Sequence, residues 1–199
     1  KIKMIKRSEL KVIWKDNNIN NARKFIIANS AINLYPFRKI NSIYYDNSQN
    51  QMYHDSIEGI VPRKKIRVRS YHKLYSGIYF LEKKFTYEHH REKDTKKIDF
   101  NKKKYDLIND TYYGNCFIKI VVSFYREYFF INNSRITIDY NIEAYSLENP
   151  DLRVPIDKII IEFKSFIFEE NNNLVNNIGF QTSRFSKYTE AIEKFNYIQ

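Results

Sequence analysis

A run of alternating charged and apolar residues, Lys65-Ile66-Arg67-Val68-Arg69, carries the clearest chemical signal in this sequence. Side chains alternate between the two faces of a β-strand, so Lys65, Arg67 and Arg69 point to the same face. Three cations this close together repel one another unless an anion lies among them. The spacing therefore predicts a strand face that binds an anionic ligand.

The same alternation recurs along the chain. Cations on other predicted strands are Arg7, Lys11, Lys84, Arg126, Arg135 and Lys164. For one strand alone, an edge strand whose arginines face water is the commoner explanation. Repetition over several strands instead favours a shared site for a polyanion, because arginine makes bidentate contacts with phosphate and lysine supplies point charges.

Three glutamates, Glu9, Glu82 and Glu162, each lie two residues from a lysine on a predicted strand. They suit a divalent cation, Mg²⁺ or Mn²⁺, which is held by one or two carboxylates and by substrate phosphates. Surface ion pairs between strands, worth only about 0–1 kcal/mol, are the alternative. Glu162 is the strongest candidate ligand, because it lies in the apolar run 159–163, where an unpartnered carboxylate is costly.

The segment Arg184-Phe185-Ser186-Lys187-Tyr188 places two cations and a hydroxyl at the start of a predicted helix. Helix N-termini attract anions through their free N–H groups. The alternative is a capping motif with cations that face solvent. The sequence has no glycine-rich phosphate loop, no GxSxG motif and no convincing cysteine–histidine pair, so it does not point to a covalent protein nucleophile.

Composition limits the partners. Lys and Arg total 34 against 23 Asp and Glu, a net charge of +11, which favours anionic partners such as nucleic acid, acidic lipid or phosphorylated compounds. The single cysteine, Cys116, excludes an internal disulfide and a cysteine-based zinc site. The longest apolar stretch, 117–128, is shorter than the roughly 20 residues of a membrane helix, and no signal peptide is visible. We therefore expect a cytoplasmic protein without a membrane segment.

The elements that must position these residues are mainly strands. Strand character dominates at 3–14, 40–46, 63–72, 77–88, 117–130, 135–145 and 157–168. Helices are predicted at about 19–30, 48–57, 101–109 and 186–195, and turns at 71–77 and 132–134. We predict one domain over 1–199 of mainly β, α+β class. It is a closed antiparallel β-barrel of about eight strands, with a polar, basic lumen and peripheral helices.

Several strings occur in an order that resembles the VTC domain, the polyphosphate polymerase module of the triphosphate tunnel metalloenzymes. They are RSELK at 7–11, SIYYD at 42–46, KIRVR at 65–69, FLEKK at 80–84, YREY at 125–128, RITID at 135–139, IIEFK at 160–164 and RFSKY at 184–188. The resemblance covers nearly the whole chain in collinear order. In the last string, Arg184 stands where polymerase members carry lysine.

The resemblance implies a tunnel lined by cations that binds ATP and a divalent cation, Mn²⁺ or Mg²⁺. There the terminal phosphate of ATP is transferred to a growing polyphosphate chain. The implied catalytic residues are Arg67, Arg69, Lys84, Arg126 and Arg135. The implied phosphate-binding residues are Arg7, Lys11, Lys164, Arg184, Ser186 and Lys187. Glu162 is the implied metal ligand, and Glu9 and Glu82 are further metal or orienting groups.

Three other functions stay open from the sequence. A hydrolase of inorganic triphosphate or of a nucleoside triphosphate would use the same groups with water as the acceptor. A binding module would capture polyphosphate without turnover, although a pure anion binder gains nothing from Glu162. Nucleic-acid binding has only net charge and aromatic content in its favour, and we expect no nucleic-acid partner.

Overall fold

The computed structural model describes residues 8–71, 78–88, 90–165, 175–176 and 181–196. Over these residues the strands are β1 (Ser8–Ile13), β2 (Ile32–Asp46), β3 (Arg63–Ser70), β4 (Tyr79–Thr86), β5 (Arg91–Ile98), β6 (Leu107–Asp110), β7 (Gly114–Ile131), β8 (Ser134–Tyr145), β9 (Val154–Ile156) and β10 (Ile160–Ser165). The helices are α1 (Ile19–Ala28), α2 (Gln51–Glu58) and α3 (Lys187–Asn196). Arg7 lies outside the described residues, as does most of the predicted turn at 71–77.

The strands pair in the order β1-β10-β8-β7-β2-β3-β4-β5, with β6 on β7 and β9 on β8. This confirms a mainly β architecture with few helices. The predicted closed barrel of about eight strands is wrong, because the sheet has ten strands and its order is open. Across the described ranges no pairing joins β1 to β5. Residues 91–97 of β5 are all exposed and mostly charged, which is a common way to protect a free edge.

The chain divides into two compact units. The first consists of Lys1–Arg38, Phe124–Ile142 and Asp157–Phe185, and the second of Lys39–Ser123, Glu143–Ile156 and Ser186–Gln199. Strands β2, β7 and β8 contribute residues to both units. Each unit is therefore built around its own part of these strands.

In the first unit, the apolar residues of β1, β8 and β10 pack together with helix α1. Val12, Ile138 and Ile161 are almost fully buried in this core, together with Ala22 and Ile26 of the helix. Asn18 caps α1, since its side chain accepts the backbone N–H of the residues two and three positions on. Because side chains alternate along these strands, the polar residues between the core positions lie on the opposite face.

In the second unit, Asp46 joins the end of β2 to two helices. Its carboxylate accepts the backbone N–H groups of Met52 and Tyr53 at 2.9 Å, and thereby caps the start of α2. It also accepts the hydroxyl of Tyr188, in α3, at 2.6 Å. One fully buried carboxylate therefore fixes α2 and α3 on the strand that precedes them.

The turn predicted at 132–134 is confirmed. Asn132 and Asn133 have φ values of 44° and 61° and connect β7 to β8. Asparagine tolerates this left-handed conformation better than most residues, and two-residue hairpin turns require it.

The helix predicted at 101–109 is wrong. Asn101 begins only a single turn, in which its side chain accepts the N–H of Lys103 at 3.0 Å, and β6 follows at Leu107. The segment has no apolar stripe that could hold a longer helix against a core. No helix within the described parts of the chain is long and apolar enough to cross a membrane.

Candidate functional site

The first unit carries a polar patch on the sheet face opposite its core. Two rows of paired residues cross β1, β10 and β8, and they are Glu9–Lys164–Arg135 and Lys11–Glu162–Thr137. Residues directly opposite each other on antiparallel strands point to the same face. We call Glu9, Lys11, Arg126, Asp139, Glu162 and Lys164 the carboxylate patch.

Glu162 lies at the centre of the carboxylate patch and is only 6% exposed. One of its carboxylate oxygens is 3.1 Å from Lys164 Nζ, and the other is 3.6 Å from Arg126 Nη2. Burial alone would raise the pKa of Glu162, but the nearby cations Lys164, Arg126 and Lys11 hold it well below its usual range. Glu162 is therefore an ionised, buried carboxylate at neutral pH.

Arg126 is fixed by a partner that the sequence analysis did not name. Its guanidinium donates two hydrogen bonds to Asp139, from Nε at 2.5 Å and from Nη2 at 2.6 Å. Burial alone would lower the pKa of Arg126, but Asp139 and Glu162 raise it. Asp139 shares the alternation of Arg135 and Thr137 on β8, and that spacing was the available signal.

The remaining groups of the carboxylate patch are more open to solvent. Lys11 Nζ donates to the backbone oxygen of Phe185 at 3.0 Å and lies 3.7 Å from a carboxylate oxygen of Glu9. Lys164 Nζ lies 4.0 Å from the other Glu9 oxygen. Arg135 is on the same face but is exposed, and Arg184 is also exposed. The structure thus brings Glu9, Lys11 and Lys164 together with Glu162, and leaves those two arginines at the solvent.

The donor set of the carboxylate patch fits a Mg²⁺ or Mn²⁺ ion that also binds substrate. Glu9 and Glu162 provide carboxylates on neighbouring strands, and one oxygen of each lies within 4.0 Å of Lys164 Nζ. The described residues contain no group of three or more His, Cys, Asp or Glu side chains that could hold a metal by themselves. Mg²⁺ usually takes one or two protein carboxylates and completes its shell with phosphate and water, so Glu9 and Glu162 are enough protein ligands for such an ion.

The second unit carries a different polar face, on β2, β3, β4 and β5. Its rows of paired residues are Tyr44–Arg67–Glu82–Thr95 and Lys65–Lys84–Lys93. Arg69 lies opposite Ser42 on the same face. We call Tyr44, Lys65, Arg67, Arg69, Glu82 and Lys93 the arginine patch.

Both carboxylate oxygens of Glu82 are bound to cations. One accepts from Arg67 Nε at 2.7 Å, and the other is 2.7 Å from Lys93 Nζ. Arg69 Nη1 lies 3.8 Å away. Burial alone would raise the pKa of Glu82, but Arg67, Arg69 and Lys93 lower it from 4.5 to about 2. Of the two roles expected for Glu82, this geometry suits orientation of the arginines better than metal binding.

Tyr44 is a member of the arginine patch that the sequence analysis recognised only as part of a string. It is 5% exposed, and its ring stacks on Tyr188 with centroids 5.1 Å apart. Its hydroxyl oxygen accepts from Arg67 Nη1 at 3.2 Å. Burial alone would raise the pKa of Tyr44, but Arg67, Arg69 and Lys187 lower it. The phenol is therefore held in a strongly cationic setting.

Ser186 directly precedes α3 and caps its start, as predicted. Its Oγ accepts the backbone N–H of Thr189 at 3.5 Å, which is the geometry of a helix cap. Lys65 Nζ donates to the same Oγ at 2.8 Å. Lys187 and Lys84 are half-buried. Ser186 thus caps α3, and its hydroxyl brings one cation of β3, Lys65, to the start of the helix.

The pH dependence of stability should report the ion pairs of Glu82. Because its folded-state pKa is lowered to about 2, these pairs stabilise the protein fully above pH 4.5 and lose their effect as the pH falls towards 2. Wild type should exceed Glu82→Gln in free energy of unfolding by about 3 kcal/mol at pH 7. Urea unfolding at pH 7, 5 and 3 should show this difference shrink. Glu148→Gln, at an exposed site, should show no such trend.

Several solved structures share this fold at low sequence identity. A proposed adenylate cyclase of Vibrio parahaemolyticus is 14% identical with a TM-score of 0.57, over 94% of this chain and 97% of that one. A proposed adenylate cyclase of Bacillus halodurans is 10% identical with a TM-score of 0.61, over 91% and 94%. A proposed adenylyl cyclase of Hippeastrum, reported to have a dominant triphosphatase activity, is 13% identical with a TM-score of 0.55, over 93% and 94%. These likenesses show that the chain has the same fold as these three proteins.

A family profile assigns the chain to a protein family. The profile of the VTC domain matches residues 6–115, which is more than half of the chain. The chain therefore belongs to the VTC domain family. Curated proteins give no significant sequence match.

Proposed function

We propose that this protein is a metal-dependent polyphosphate polymerase, which transfers the terminal phosphate of ATP to a growing polyphosphate chain. The observation that carries the proposal is the carboxylate patch, in which Glu162 is buried and ionised among Lys164, Arg126 and Lys11. A surface ion pair would not need a carboxylate so deeply buried, whereas a site for a cation and phosphates needs both signs of charge. Membership of the VTC domain family supports the same reaction.

In the proposed reaction, a terminal oxygen of the acceptor chain attacks the γ-phosphorus of ATP. A new P–O bond forms while the bond from the γ-phosphorus to the β–γ bridging oxygen breaks, and ADP leaves with that electron pair. Such phosphoryl transfer depends on positioning and charge stabilisation rather than on covalent chemistry by the protein. The absence of a recognisable nucleophile motif in the sequence agrees with this.

The proposed roles follow the two patches. Lys11, Lys164 and Arg126 bind phosphate oxygens at the carboxylate patch, and Arg126 is kept in position by Asp139. Glu162 and Glu9 hold the divalent ion, which when bound neutralises phosphate charge.

At the arginine patch, Arg67 and Arg69 bind phosphate oxygens in the orientation that Glu82 imposes on them. Lys84 and Lys187 add positive charge there, together with the hydroxyl of Ser186. Arg135 and Arg184, both exposed, are proposed to make the weaker contacts of the set.

A triphosphate hydrolase is the second candidate function. The observation in its favour is the Hippeastrum protein, which shares this fold and has a dominant triphosphatase activity. Hydrolysis would use the same cations, with water in place of the phosphate chain as the acceptor. A binding module without turnover would need only the cations, and the ionised Glu162 counts against it.

The products of ATP separate these functions. Purified protein incubated with ATP and Mn²⁺ should yield long phosphate chains on a polyacrylamide gel, with little free phosphate. Free phosphate without chains would mean that the protein is a triphosphatase and not a polymerase. Binding of polyphosphate without any turnover of ATP or inorganic triphosphate would reduce the protein to a binding module.

A further inference from the structure

Thr137 carries an unexplained buried hydroxyl in the carboxylate patch region. The residue lies on β8 directly opposite Glu162, whose other neighbour across β1 is Lys11. It is 1% exposed, and its Oγ1 has no hydrogen-bond partner among the described residues. Buried hydroxyls are nearly always paired, because leaving one unpaired destabilises the fold.

Packing alone does not account for a threonine at this position. Valine has nearly the same shape without the hydroxyl and would fill this buried position without leaving a polar atom unpaired. Threonine therefore keeps an oxygen where the described part of the chain gives it no partner. The simplest physical reason is a partner that binds from outside the chain.

The neighbour of Thr137 indicates the charge of that partner. Opposite residues on antiparallel strands have Cβ atoms about 4.5–5.5 Å apart, so the Thr137 side chain starts beside that of Glu162, whose carboxylate forms ion pairs with Lys164 and Arg126. A phosphate oxygen at this point would be repelled by the carboxylate. A cation would be attracted by both the carboxylate and the hydroxyl oxygen, and threonine hydroxyls are ordinary ligands of Mg²⁺.

We propose that Thr137 Oγ1 is a ligand of the divalent cation, beside Glu162. The proposal rests on the proposed function, since it concerns the same ion, and it adds a neutral oxygen to the two carboxylates. It also means that the metal-free protein tolerates an unpaired hydroxyl in order to bind the ion. Stability and metal affinity should therefore respond to this side chain in opposite directions.

Binding of Mn²⁺ alone tests the proposal without relying on turnover. Thr137→Val should weaken Mn²⁺ binding, followed by the electron paramagnetic resonance signal of free Mn²⁺, about 10-fold or more. Thr137→Ser, which keeps the hydroxyl, should stay within about 3-fold of wild type. In EDTA, the melting temperature of Thr137→Val should be no lower than that of wild type, and up to about 2–4 °C higher, because an unpaired polar group has been removed.

Thr95 provides a matched control. It also lies opposite a glutamate, Glu82, but it is exposed and that glutamate already binds three cations. Thr95→Val should leave Mn²⁺ binding unchanged.

Three results would overturn the proposal. Equal Mn²⁺ binding by wild type and Thr137→Val would remove Thr137 from the metal site and leave the proposed function intact. If Thr137→Val lost inorganic triphosphate binding in EDTA but retained Mn²⁺ binding, the hydroxyl would be a phosphate ligand instead. A wild-type protein that binds no Mn²⁺, with or without triphosphate, would overturn both Thr137 as a ligand and the metal-dependent reaction.

Discussion

Glu162→Gln should lower Mn²⁺-dependent turnover of ATP about 10²–10³-fold, a loss comparable to that of other preorganised charge-stabilising groups. The change is nearly isosteric but removes the ionised carboxylate that faces Lys164 and Arg126. Metal affinity should fall as well, because a neutral amide is a weaker ligand for a hard cation. Initial rates over a series of Mn²⁺ concentrations would measure both effects.

The matched control is Glu143→Gln, on strand β8, which pairs with the strand β10 that carries Glu162. Glu143 forms a solvent-exposed ion pair with Arg153 at 2.9 Å, and exposed pairs contribute little to stability or to chemistry. The Glu143→Gln variant should retain wild-type rates of ATP turnover. Circular dichroism and thermal unfolding of both variants would verify that they fold. Wild-type turnover in a folded Glu162→Gln protein would contradict the metal role assigned to this residue.

Arg67→Met should reduce turnover about 10²-fold. It removes a guanidinium that is positioned by Glu82 on one side and by the hydroxyl of Tyr44 on the other. Fixed donors of this kind lose no energy to reorganisation when phosphate charge develops, so a mobile cation cannot replace them. The turnover of Arg67→Lys should lie between that of Arg67→Met and that of wild type, since lysine restores the charge but not the bidentate geometry. Steady-state rates with saturating Mn²⁺ provide the comparison.

Lys103→Met tests whether net charge alone explains the loss. Lys103 lies in the exposed turn before β6, and its removal changes the formal charge by the same amount. Its turnover should stay within about 2-fold of wild type, because an exposed charge is screened by salt. Equal losses from Lys103→Met and Arg67→Met would show that general electrostatic attraction, and not the arginine patch, governs the reaction.

The strands that bury one face were the predictable part of the fold. β1, β3 and β4 fall within predicted segments because apolar and charged residues alternate along them. β5 was missed, because residues 91–97 contain no apolar side chain and the strand depends on its pairing with β4. Sequence periodicity cannot predict a strand, such as β5, that forms only because a neighbouring strand pairs with it.

The candidate site was predictable in its charges but not in its pairings. Glu162 and Arg67 were identified from alternation and from a lone carboxylate in an apolar run. One of the three cationic partners of Glu82, Lys93, could not be foreseen, because it lies on β5, the strand that the pattern did not indicate. Ion pairs between strands depend on register, and register is set by the assembled sheet.

The position of Asp46 affects how a match to this family is interpreted. The string SIYYD ends on a carboxylate that accepts hydrogen bonds inside the protein, from Asn47, from the start of α2 and from Tyr188. A descendant that had lost the cations proposed to bind phosphate would still need Asp46 to hold its helices. The string therefore diagnoses shared ancestry and architecture, and an inactive relative would display it as clearly as an active one.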